Sequence, residues 1–246
     1  MALLDRKRKL SCLHWGRRAR GSILFLAQLK VPAHARAVKQ HFVRELRDGW
    51  HEVVTRDWVR APIAGFAISN MCFASFLVLG PTIFRAHPHG ARDWGIVSTC
   101  GAVGAILGSL LSARYRPPRP LTACFLATTL VSLPIAALAG PLPVGAIAAA
   151  WLVGFGSITF ANTYWETTLQ QRIPDNVFAR VRSYDILVSF VFMPIGMVAF
   201  GPIAAVVGNE WTLLGAAAVA AVTNIAVAFA PGVRSVETRT FAPAPV

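Results

Sequence analysis

Between residues 61 and 230 the chain consists of six apolar runs, at 61–84, 94–112, 121–138, 144–164, 184–207 and 211–230. Each is about 18–24 residues long, and about 20 helical residues match the roughly 30 Å hydrocarbon core of a bilayer. No charged residue lies near the middle of any run. On the insertion scale one central Arg or Asp costs about 2.5–3.5 kcal/mol, whereas a Leu or Ile gains about 0.3–0.6 kcal/mol. Six uninterrupted runs therefore read as six spans. Backbone groups in hydrocarbon must bond one another, so the expected class is an all-α integral membrane protein with six transmembrane helices.

Composition excludes the main alternatives. At 55% apolar and 14% charged residues, with a mean hydropathy of +0.53, the chain has too little polar surface to coat a soluble globule. Its formal charge of +13 does not point to nucleic acid, because the basic residues are not interleaved with stacking aromatics on a compact domain. They follow topology instead. Fourteen Lys and Arg precede Ala61, and Arg114, Arg116 and Arg119, then Arg172, Arg180 and Arg182, then Arg234 and Arg239 fall in alternate connections and the tail. Only Arg85 and Arg92 fall on the other side. Cations accumulate on the side that is not translocated, so both termini are expected in the cytoplasm and the protein in the plasma or inner membrane. Cys12, Cys72, Cys100 and Cys124 lack ligand spacing, and no metal, cofactor or disulfide framework is expected. No hydrolase, zinc-protease or nucleotide-binding motif occurs in a suitable setting, and Ser69 and Ser157 have no intramembrane catalytic partner, so an enzyme is not expected.

Residues 1–60 form a basic amino-terminal segment, and 231–246 a cytoplasmic tail. The apolar stretch 21–31 is about half of a span's length and reads as the end of one whose beginning is absent. Between about 35 and 59, Val38, Phe42, Val43, Leu46, Trp50, Val53 and Val54 recur at intervals of three and four among charged residues. That pattern predicts an amphipathic helix lying on the membrane face. In the second run Gly101, Gly104 and Gly108 share one helical side, where small residues let backbones approach closely. In the fifth run Pro194 and Gly201 are further packing positions, and Pro194 and Pro202 are expected to break the helix.

Four motifs carry a resemblance. Leu169-Gln-Gln-Arg172-Ile-Pro174, Arg180-Val-Arg-Ser-Tyr-Asp185 and Pro194-Ile-Gly196 followed by Gly201-Pro202 succeed one another, and Asp93-Trp-Gly95 leads into the glycines 101–108. These resemble the second half of major facilitator superfamily exporters, in the branch of macrolide and siderophore (enterobactin exporter-like) efflux proteins. The resemblance implies half of that fold, two inverted three-span repeats, with the first span of each repeat lining a substrate cavity. The candidates on those spans are Asn70 and Phe73, then Thr159, Asn162 and Glu166. Around Arg114 the chain is similar to the superfamily's signature loop, with Ser112 where an aspartate is usual. The resemblance makes Arg114, Arg116, Arg180 and Asp185 candidates for a cytoplasmic gate or latch, with Asp185 as partner for the arginines of the loop. It also implies efflux of a small molecule, such as a drug or siderophore, by alternating access. A separate amino-terminal half or a second copy of the chain would complete the cavity. The short segment 21–31 favours the alternative of a truncated, non-transporting fragment.

Overall fold

A computed structural model of the chain describes residues 42–238. The basic segment through 41, including the stretch 21–31, and the tail from 239 onward lie outside the described residues.

Part of the stretch predicted as an amphipathic helix forms α1, Phe42–Val54. The helix expected to run to residue 59 stops earlier: Arg56 is extended (φ −107°, ψ 99°), and Asp57 opens α2, Asp57–Arg85. A carboxylate in a first turn offsets the positive helix amino terminus. Next come α3, Gly90–Arg114, and a third span made of α4, Pro120–Thr128, a 3₁₀ turn over Thr129–Val131, and α5, Ser132–Ala137. Pro134 explains the turn, because its ring displaces the carbonyl of Leu130 four residues back and removes one donor. Then follow α6, Val144–Arg172, α7, Asp175–Val207, α8, Asn209–Ala228, and the short α9, Pro231–Arg234. Six helices are long and apolar enough to cross a membrane, and the described residues form no strand. At 33 residues, α7 passes through Pro194 and Pro202 without interruption. The break expected from those prolines is absent, because packed neighbours and local adjustment absorb a missing bond in membrane helices.

Pairing follows an internal symmetry. The most extensive contacts join α3 to α6 and α2 to α7, that is, the second span to the fourth and the first to the fifth. Exchanging the first three spans with the last three turns one pair into the other. Because three spans reverse the chain's direction, the two repeats are inverted.

The α3–α6 seam is made of glycine. A Cβ on Gly104 would stand 2.1 Å from the Leu152 carbonyl oxygen, and one on Gly108 would stand 2.0 Å from that of Gly156. Gly101 faces Trp151, whose Nε1 would lie 2.1 Å from an added Cβ. Between α2 and α7 the close approach is at Gly196, 2.5 Å on the same measure from the Met71 carbonyl oxygen. Pro194 and Gly201, the packing positions expected on this helix, face away from α2: Pro194 is exposed, and a Cβ on Gly201 would meet nothing within 4 Å. At about 100° per residue they lie roughly 160° and 140° around the helix from Gly196.

Two apolar cores fill the bundle. One surrounds Phe76, Phe84, Ile135, Trp151 and Leu213, and the other Ile63, Phe125, Trp165, Leu169 and Val233. Residues of both border a single cavity.

Candidate functional site

The cavity has a volume of about 410 Å³, within the roughly 300–1,000 Å³ range of small-molecule sites. Its walls come from α2, the α4 region, α6 and α7. On α2 the stripe is Phe66, Ser69, Asn70 and Phe73; on α6 it is Ile158, Ala161, Asn162, Trp165 and Glu166. Both advance by three and four residues, the spacing of one helical face. The fifth span adds Arg182, Asp185, Ser189, Phe190 and Met193 at the same spacing.

Of the cavity candidates, Asn70, Phe73, Asn162 and Glu166 are brought together, and Thr159 is not among the lining residues. Thr159 stands one residue beyond Ile158, turned about 100° from it, and its hydroxyl donates to the Phe155 carbonyl at 3.1 Å. The Asn70 amide spans the seam, donating to the Ser189 carbonyl at 2.8 Å. Behind it the Ser69 hydroxyl donates to Asn224 Oδ1 at 3.0 Å. Asn162 is exposed to the cavity, and its side chain has no hydrogen-bond partner among the described residues.

Charge is concentrated at the end nearest the α6–α7 connection. Asp185 is 2% exposed. Its Oδ2 accepts from Trp165 Nε1 at 3.1 Å and from Arg182, and its Oδ1 faces the Ser189 hydroxyl at 3.4 Å. The same guanidinium pairs with Glu166 Oε1, where both side chains are about one-third exposed. A carboxylate taken out of water persists when such partners replace its hydration. The Arg182 guanidinium and the Trp165–Asp185 bond thus tie α6 to α7, two helices that otherwise touch little.

The latch expected between Asp185 and the loop after α3 does not form. Arg114 and Arg116 are exposed, and Asp185 is taken by partners on α6 and α7. The reason is the pairing: α3 lies on α6 and α7 lies on α2. The carboxyl-terminal end of α3 is held instead by the Tyr164 hydroxyl, which reaches the carbonyl of Ser112 at 3.2 Å and that of Tyr115. Arg180 packs beside α1, where a Cβ on Gly49 would stand 3.0 Å from the Arg180 Cβ. Arg182, Ser189, Phe190 and Met193 were not singled out from the sequence as cavity residues. Their three-and-four spacing from Asp185 was the available signal, hidden in a helix that is apolar on every side.

Residues 22–244 match the family model described as transmembrane secretion effector, within the major facilitator superfamily. No curated protein and no solved structure gives a significant match. The family match covers most of the chain and agrees with an all-α membrane protein of six spans. This chain therefore belongs to the transmembrane secretion effector family of major facilitator transporters.

Proposed function

We propose that this transporter exports small amphipathic molecules, of the kind represented by drugs or siderophores, by alternating access around the cavity between α2, α6 and α7. The observation that carries the reading is the cavity itself, in which aromatic rings face an exposed amide and an ion network. A transported molecule needs apolar contact for its body and a few polar groups for its orientation. The Glu166–Arg182–Asp185 network lies where α6 and α7 approach their connection, and it serves as the gate on that side. Arg180, packed beside α1, supports α7 on that side, while Arg114 and Arg116 act as anchors on the same membrane face. Exposed Asn162 and Phe190 open the cavity beyond this six-span unit. A second unit, a separate amino-terminal half or another copy, closes it. Both described ends lie on the cytoplasmic side of the plasma or inner membrane, by the distribution of arginines.

The test is accumulation of a fluorescent amphiphile in cells producing the protein together with any unit that co-purifies with it. Asn162→Leu should raise accumulation at unchanged expression, and a reporter at Val246 that works only inside the cell should be active. Equal accumulation with and without the wild-type protein, across a panel of amphiphiles, would reject export.

A further inference from the structure

We propose that the cavity selects amphipathic molecules bearing one positive charge, and that Glu166 is the group that receives that charge. The inference rests on the export reading and narrows its substrate class.

Charge balance in the lining is the first argument. Glu166 and Asp185 are opposed only by Arg182 among the lining residues, so the wall carries a net charge of −1 in its ionised form. The surplus is not shared equally. Asp185 is buried, with one oxygen held by Trp165 and Arg182 and the other facing Ser189, so a ligand cannot reach it without dismantling three contacts. Glu166 is open to the cavity, its Oε1 pairs with Arg182, and its Oε2 has no partner among the described residues. The accessible negative charge is therefore one carboxylate oxygen of known position.

Its surroundings suit a cation on an apolar body. Phe66, Phe73, Phe155, Trp165 and Phe190 line the same space, and the faces of aromatic rings attract cations while giving apolar contact. Asn162, one helical turn before Glu166 and without a side-chain partner, supplies an amide oxygen that also accepts. An anion meets the opposite situation, because Arg182, the one cation in the wall, is already engaged on both sides. A bound cation competes with Arg182 for Glu166. Arg182 then keeps Asp185, and of the two links between α6 and α7 only the Trp165–Asp185 bond remains, which couples occupancy of the cavity to the gate.

Two ions of nearly the same shape and opposite charge, tetraphenylphosphonium and tetraphenylborate, separate charge from size. Each is equilibrated by dialysis against the full chain in mild detergent, with whatever unit co-purifies, and corrected for empty micelles. The expected result is retention of the phosphonium well above the borate. Glu166→Gln, nearly isosteric, should weaken the phosphonium about tenfold, the order of one partly screened charge pair. The comparison of the two ions on the unmodified protein stands whether or not the variant folds. Borate held as tightly as phosphonium would overturn the charge selection and leave the cavity's role in export intact. Phosphonium preferred equally by wild type and a monodisperse Glu166→Gln protein would overturn the role of Glu166. Retention of neither ion would overturn the proposal outright, and the accumulation assay then decides separately whether export itself stands.

Discussion

At the scale of single residues, two kinds of position carry this molecule: glycines with a backbone opposite them, and polar groups with a named partner. Gly104 and Gly201 look alike in sequence, each a small residue in an apolar span. An added methyl at Gly104 would overlap the Leu152 carbonyl, whereas at Gly201 it meets open space. Gly104→Ala should thus destabilise the folded protein by about 1–3 kcal/mol, the usual range for overpacking, and Gly201→Ala by less than about 0.5 kcal/mol. Thermal unfolding in detergent, followed by monodispersity on size exclusion, checks both. Equal midpoints for the two variants would show that the α3–α6 seam is looser than its geometry. Asp185 belongs to the second kind. Arg182→Gln leaves a buried carboxylate with neutral partners only, and a loss of about 3–5 kcal/mol is expected from breaking such a pair, read in the same unfolding experiment.

Among the elements, the segment after the last span has a structural role that its length does not suggest. In α9 and the residues that follow, Val233 and Val236 are buried, at 0% and 2% exposure. Thr238 then donates its amide to the Pro118 carbonyl at 2.9 Å and its hydroxyl to that of Pro117 at 2.6 Å, while Arg172 reaches the Glu237 carbonyl. The end of this segment thereby clasps the connection between the second and third spans and the end of the fourth. Thr238→Val removes the hydroxyl bond while keeping shape, and should cost about 1 kcal/mol. The same substitution should raise amide exchange at 119–123, where the third span begins. Unchanged exchange there would mean that the clasp does not hold the span. By contrast, α7 needs no such tie to remain continuous through its prolines, since its contacts with α2 are extensive.

For the whole molecule, the unequal burial of the spans is the leading fact. The most apolar window of α2 is 61% buried within the unit, and that of α7 only 11%. The first span is a central post, and the fifth presents its outer surface to lipid or to another unit. Together with the open side of the cavity, this supports assembly with a second six-span unit. Purification in mild detergent with mass analysis of the intact complex should show either a homodimer or a second six-span chain. A stable monomer that still exports would remove the need for either.

The class of this protein and the number of its spans were legible without a structure, because exclusion of charge from hydrocarbon is local and additive along each run. The faces carrying Asn70 and Phe73, and Asn162 and Glu166, were legible for a related reason: a polar group inside a span must turn from lipid toward protein or water. What only the tertiary structure decided was which surfaces meet. A helix that is apolar on every side carries no mark of its orientation, so the fifth span's share of the cavity and the choice of Gly196 over Gly201 had no signature. The partner of Asp185 was hidden as well, since an arginine three residues away and arginines seventy residues away are equally plausible until the pairing of α7 with α2 and of α3 with α6 puts them on different flanks. Short-range chemistry settled each helix, and the rotation of one helix against another settled the site.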